Sequence, residues 1–206
     1  MLTLYGSGQS RSFRALWALE ESGLSFVYQP VQIGSREQSG TQTDSYKQLN
    51  YQGKVPCLMD DELIVNESGA IINYIASCVP EKLLIPIDDL ALRAYYDEIS
   101  FFVLSDLEQP LWTYGKHSFV LPEDKQVQEV LATSHWEFAK SLKALNQYVA
   151  DKEFVVGDHF TMADILIAQT LQWAQRFEFD IPAELLAYKD NLYQRPACQQ
   201  ALARVS

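Results

Sequence analysis

Several features that would mark other classes of protein are missing from this sequence. No apolar run approaches the roughly 20 residues that a membrane-spanning helix needs, and the 206 residues hold no low-complexity tract. Basic charge is scarce: 16 Lys and Arg stand against 27 Asp and Glu, a formal net charge of -11. Nucleic-acid binders need a basic face to meet phosphate, so that class is excluded and the acidity reads as solubility. Cysteine is scarce too. Cys57, Cys78 and Cys198 are odd in number and show no CxxC spacing, which excludes a disulfide framework and suits a reducing, cytoplasmic setting. His117, His135 and His159 lack metal-ligand spacing, so no structural metal is expected. Met1-Leu2-Thr3-Leu4-Tyr5 lacks the basic region of a secretory signal and reads as a strand that begins at once, the expected start of the mature chain.

What is present is an ordinary globular composition, 48% hydrophobic and 21% charged, on a chain long enough to bury a sizeable core. The N-terminal part alternates short strands and helices. Leu2–Tyr5 is β-prone and Gly6-Ser7-Gly8 breaks it; Phe13, Leu16 and Trp17 then recur at helical spacing within 10–22, and Gly23 stops the helix. Phe26–Tyr28 reads as a strand, 34–44 as a loop, and a weak helix precedes Gly53. Two strands at 55–59 and 63–65 flank the turn Asp60-Asp61-Glu62, and 67–77 is helical again. The order β-α-β-α-β-β-α predicts a parallel pair with a helical crossover, then an antiparallel hairpin, in a thioredoxin-like sheet covered on both faces.

Everything beyond Asp89 reads as helix: 89–115 with a break near Pro110, 123–150, 162–178, and shorter helices after Pro182 and Pro196. The expected fold is therefore α/β followed by all-α. A thioredoxin-like domain spans 1–79, a linker with Pro80 and Pro86 spans 80–89, and an all-helical domain spans 90–206. The start of the 162–178 helix carries a capping box, with Thr161 as cap, Asp164 reaching back to its amide, and Phe160 and Ile165 at the staple positions. That motif is read as structure, without chemistry.

Two short segments point to a ligand. In Lys54-Val55-Pro56-Cys57 a cis-proline turn would expose the Val55 N–H and C=O to a peptide-like ligand as an added strand; a plain strand-initiating proline is the alternative. In Asn66-Glu67-Ser68 the free amides of a helix start and the Ser68 hydroxyl suit a carboxylate, and Glu67 suits an ammonium group. An α-amino acid head carries both charges. An ordinary helix cap is the alternative reading here.

Together, Gly53-Lys54-Val55-Pro56-Cys57-Leu58, then Glu67-Ser68, Ala70-Ile71 and Tyr74-Ile75, strongly resemble the glutathione-binding half of cytosolic glutathione transferases. The resemblance extends upstream to Ser10-Arg11-Ser12-Phe13-Arg14-Ala15-Leu16-Trp17 and Leu19-Glu20-Glu21. Downstream it includes Val156-Gly157-Asp158 leading into Thr161 and Asp164. Tyr51 departs from it, standing where many members have proline in a loop.

The resemblance implies that Val55 pairs its backbone with the cysteinyl part of glutathione, with Pro56 in cis, and that Glu67 and Ser68 hold the γ-glutamyl head. Lys54 is a weaker candidate for the glycine carboxylate. Ser10 is then the expected catalytic hydroxyl at the glutathione sulfur, with Ser12 second and Ser7 third; a helix cap is Ser10's alternative role. A hydrogen bond to the thiolate and a helix N-terminus would lower a thiol pKa from about 8.5. Gln9-Ser10-Arg11 offers no cysteine for a mixed disulfide, Tyr5 ranks low because it lies inside a strand, and Cys57 is expected in the core. Phe101, Phe102, Trp112, Tyr114 and His117 form an aromatic-rich stretch, of which Phe102, Trp112 and Tyr114 are the candidates to line a hydrophobic-substrate pocket.

The function implied is a homodimeric, cytoplasmic enzyme that conjugates glutathione, as co-substrate and without a resident cofactor, to small hydrophobic electrophiles. The competing readings are a protein that binds glutathione or an apolar ligand without turnover, an interaction scaffold, and a glutathione-dependent peroxidase.

Overall fold

The computed structural model describes residues 1–205. They fall into two compact units, Met1–Ile85 with the chain from Tyr193 onward, and Pro86–Leu192. Strands β1 (Leu2–Gly6), β2 (Phe26–Pro30), β3 (Cys57–Asp60) and β4 (Leu63–Asn66) and helices α1 (Ser12–Ser22), α2 (Asp44–Leu49) and α3 (Ser68–Ser77) lie in the first. Helices α4 (Leu90–Phe102), α5 (Glu108–Gly115), α6 (Glu129–Val149), α7 (Met162–Arg176) and α8 (Ala183–Tyr193) follow, and α9 (Pro196–Val205) is the last element of the described residues.

The sheet order is β2-β1-β3-β4. The crossover through α1 makes β1 and β2 parallel and β3–β4 is an antiparallel hairpin, as the element order predicts; β1 and β3 are also antiparallel. The two-residue pleat then sorts side chains. Tyr5, Cys57 and Asn66 share one row across β1, β3 and β4, and Tyr5 and Cys57 join Val31, Tyr46, Leu49 and Val55 in a core against α2. Leu4, Leu58 and Val65 form the adjacent row, which points the opposite way; Leu4 and Leu58 are fully buried there. Helices α1 and α3 pack on each other and on the sheet, burying Phe13, Leu16, Trp17, Ile71, Ile72 and Ile75. Gly23 ends α1 at φ 69, and its N–H bonds the Leu19 carbonyl.

Burial decides the reactivity of the three thiols. It pushes Cys57 up to about 11 and Cys198 to about 12, whereas Cys78 is exposed at the end of α3. A thiolate is the reacting species. A disulfide reagent at pH 7.5 is therefore expected to modify one thiol of the native chain, Cys78, and all three after denaturation. Rapid modification of more than one native thiol would contradict this burial.

Two boundaries differ from the sequence expectation. The segment read as linker is tied to the first unit as far as Ile85: Lys82 Nζ donates to the Glu21 carbonyl at 3.0 Å, and Leu84 and Ile85 are buried. The last residues, expected in the helical domain, pack along α1 instead. Tyr193 stacks its ring on Phe13 at 6.1 Å and meets Trp17 edge-on at 5.4 Å. Arg195 grips Glu21 through both carboxylate oxygens, Nε–Oε1 2.6 Å and Nη2–Oε2 2.9 Å, while Arg204 pairs with Glu20.

In the second unit the helical run from α4 to α5 widens into a π turn at Val103–Leu107, upstream of the break expected near Pro110. Pro110 has no N–H for the Asp106 carbonyl one turn earlier, so a regular ladder fails there. The orphaned carbonyl is satisfied from α6 by Ser141 Oγ at 3.0 Å. Helix α6 begins at Glu129 rather than near 123, because Pro122 and the short turn Glu123–Lys125 precede it. The Val127 amide there donates to His117 Nδ1 at 3.1 Å. Helix α7 is buried continuously from Met162 to Leu171. Its capping box is formed: Asp164 accepts from the Thr161 amide at 2.7 Å, and also from Thr161 Oγ1 and the Val155 amide.

Candidate functional site

Sheet register brings three sequence motifs to one end of the first unit. Cys57 pairs with Tyr5 on β1 and with Asn66 on β4. Just beyond that row the chain runs into Pro56 before Cys57, into Gly6 and the serine-rich turn after Tyr5, and into Glu67 and α3 after Asn66. The Val55–Pro56 bond is cis, and Val55 is half-buried at the surface end of the α2-side core. Lys54 is exposed, with its carbonyl held by the Tyr46 hydroxyl at 2.8 Å. Asn50 steadies the approach: its Nδ2 donates to Asn66 Oδ1 at 2.8 Å and its Oδ1 accepts from the Gln52 amide at 3.0 Å. The neighbouring Tyr51, 81% exposed, alters only the surface of that loop.

The serine turn is built on a close approach. A Cβ on Gly6 would stand 2.8 Å from Ser12 Cβ and 2.9 Å from the Tyr28 ring, so only glycine lets the chain fold Ser12 back over the strand end. Ser12 is buried, and its Oγ accepts from the Ser7 amide at 3.1 Å and from Ser10 Oγ at 3.0 Å. Ser10 is half-exposed; its Oγ also accepts from the Ser12 amide at 3.2 Å, one residue ahead of the Arg11 position that caps α1. Ser10 thus bonds the first turn of α1 while staying partly exposed, whereas Ser12 is buried. Tyr5 lies within β1 with its ring edge-on to Tyr46 at 6.2 Å.

Glu67 precedes the first turn of α3 at φ 69, ψ 122. A non-glycine residue there stores about 1–3 kcal/mol of strain, which persists only when its surroundings fix it. Ser68 follows, 5% exposed, and its Oγ accepts from Arg14 Nη1 at 3.3 Å. Arg14 comes from α1 and is completely buried. The sequence analysis gives Arg14 no role; its one signal there is an arginine inside the apolar run Phe13–Leu19.

In the second unit the aromatic candidates are used largely by packing. Phe102 lies against Tyr148 at 5.2 Å, and Tyr114 joins His135, Phe177 and Phe179 at 5.1–5.7 Å. Trp112 is half-buried with Lys116 over its ring at 5.8 Å. A separate cavity of about 550 Å³ opens between α6 and the segment before α8, lined by Leu142, Lys143, Asn146 and Ile181 among others.

A thioredoxin-like sheet with a cis-proline turn, a strained helix start and a hydroxyl turn at one end, followed along the chain by an all-helical unit, defines a two-domain thioredoxin-like class. Residues 1–77 match the family model described as glutathione S-transferase, N-terminal domain, and residues 109–196 match the C-terminal domain. Glutathione S-transferase Z1 of Arabidopsis thaliana is 32% identical over 98% of this chain and 91% of its own. Maleylacetoacetate isomerase of Pseudomonas aeruginosa is 28% identical over 98% and 94%. Among solved structures, a sphingomonad glutathione S-transferase complexed with glutathione superposes at TM-score 0.85, with 27% identity over 98% of both chains. The chain belongs to the glutathione S-transferase family.

Proposed function

We propose that this transferase binds glutathione across the end of the sheet, activates its thiol beside the serine turn, and delivers it to small hydrophobic electrophiles. The convergence of Gly6, the Val55–Pro56 turn and the Glu67–Ser68 helix start carries this reading. Val55 is assigned the cysteinyl backbone, Glu67 the ammonium and Ser68 the carboxylate of the γ-glutamyl head, and Lys54 the glycine carboxylate. Pro56 holds the turn. Ser10 is the sulfur partner favoured here, since it is partly exposed and Ser12, the second choice, is buried. Swinging the Ser10 proton from Ser12 Oγ to the sulfur would stabilise the thiolate, which then attacks carbon. No resident cofactor enters this chemistry. Phe102, Trp112 and Tyr114 remain the proposed contacts of the electrophile. Three free thiols agree with a cytoplasmic setting. A homodimer is supported by Leu63 and Ile64, exposed on the edge strand β4.

Ultraviolet thiolate absorbance of bound glutathione, titrated with pH, tests the assignment. Wild type is expected to ionise the thiol about two units below its free value near 8.5, equivalent to about 2.7 kcal/mol. Ser10→Ala should return it toward that value, and Ser12→Ala should do so less. Binding without depression would remove Ser10 from the chemistry, and no binding would reduce the site to fold alone. Likeness to maleylacetoacetate isomerase favours one second reading, glutathione-dependent isomerisation. Maleylacetoacetate belongs beside the electrophiles in the first assay.

A further inference from the structure

We infer that Arg14 is a positioning residue for glutathione, fixing the Ser68 hydroxyl as a donor to the ligand's α-carboxylate. The inference rests on the glutathione reading above. A guanidinium can only donate, whereas a serine hydroxyl carries one proton and two acceptor lone pairs. Arg14 Nη1, at 3.3 Å, therefore occupies a lone pair of Ser68 Oγ. The Ser68 proton remains to be given away. At the N-terminus of α3, beside Glu67, the group that would receive it is an anionic oxygen of the amino-acid head.

The setting makes this arrangement specific. Arg14 is fully buried on α1 while Ser68 opens α3, and the two helices pack together. The guanidinium thus joins the helix bearing the serine turn to the helix start assigned to the γ-glutamyl head. Its positive charge adds to the unpaired amides at the α3 N-terminus, and burial preserves that field from solvent screening. A lysine would keep the charge but lose the planar fork of donors.

The test compares affinity for glutathione with that for 4-aminobutanoyl-cysteinylglycine, which has the same chain and amine but no α-carboxylate. Wild type, Ser68→Ala, Arg14→Lys, Arg14→Gln and the double variant Arg14→Lys/Ser68→Ala are measured by calorimetry, with a thermal melt for each. Wild type should prefer glutathione, and each single variant should lose about tenfold of that preference, the scale of one charge-assisted hydrogen bond. The double variant should lose no more than Ser68→Ala alone. Should Arg14→Gln fail to fold, Arg14→Lys and the double variant carry the comparison. Unchanged preference in a folded Arg14→Lys, or losses that simply add in the double variant, would overturn the inference. If wild type binds neither ligand, the glutathione reading falls and takes this inference with it. If wild type binds both equally, the carboxylate assignment alone fails.

Discussion

Replacing Asp164 by alanine is expected to destabilise the helical unit by about 3–5 kcal/mol, a large share of the roughly 5–15 kcal/mol that holds a domain folded. Asp164 is completely buried yet accepts bonds from the Thr161 amide and hydroxyl, the Val155 amide and the Tyr188 hydroxyl. It therefore ties the α7 cap to the preceding loop and to α8. Removal leaves several buried donors without an acceptor, and each carries its own desolvation cost. Equilibrium unfolding in urea, followed by far-ultraviolet circular dichroism, measures the loss; a change below about 1 kcal/mol would refute this account of the cap.

The same residue gives a pH signature. Burial outweighs the four hydrogen bonds and holds the Asp164 carboxyl above its ordinary value. The native state then binds the proton more readily than the unfolded chain. Stability from this group falls as pH rises from the unfolded value, about 3.9, through the raised folded one. The margin of wild type over Asp164→Asn should accordingly widen on acidification.

Ending the chain at Leu192 is expected to cost the first unit as much or more. Truncation strips Tyr193 from Phe13 and Trp17 and uncovers the surface against which Cys198 and Ala201 are buried. Burial of a single large apolar side chain is worth about 1.5–3 kcal/mol. The Glu21 carboxylate, 9% exposed, loses Arg195 and keeps Trp17 Nε1 at 3.0 Å. Breaking a buried pair from one side costs about 3–5 kcal/mol. The truncated chain should show a lost or strongly lowered thermal transition and no glutathione binding. Full-length Arg195→Ala should show a smaller drop. A truncated protein with the wild-type melting temperature would mean that α9 is an appendage.

Much of this molecule was legible because its signals are local. The strands of the first unit follow from short β-prone runs broken by Gly6, Pro30 and the Asp60–Glu62 turn, and α1 ends at Gly23 as its sequence requires. The capping box at Thr161 and Asp164 could be read from four residues, since its geometry is set by helix pitch. The family was legible for a related reason: Val55-Pro56 and Glu67-Ser68 keep a fixed spacing because a hairpin of fixed register separates them.

The sequence by itself determined the two-part architecture, the order of strands and helices along the chain, and the motifs that meet at the sheet's end. Tertiary structure decided what depends on partners far along the chain. It set a π turn at Val103–Leu107, ahead of Pro110, where Ser141 Oγ on α6 donates to the carbonyl that proline leaves unpaired. Helix α9 was placed on α1 through Arg195 and Glu21, 174 residues apart, a pairing with no local trace. The burial of Ser12, against a partly exposed Ser10, is likewise a product of the folded turn. Setting Arg14 against Ser68 followed from the packing of α1 on α3. Periodicity and turn chemistry act over a few residues and can be read in order, whereas burial and charge pairing are settled only when distant segments exclude water together.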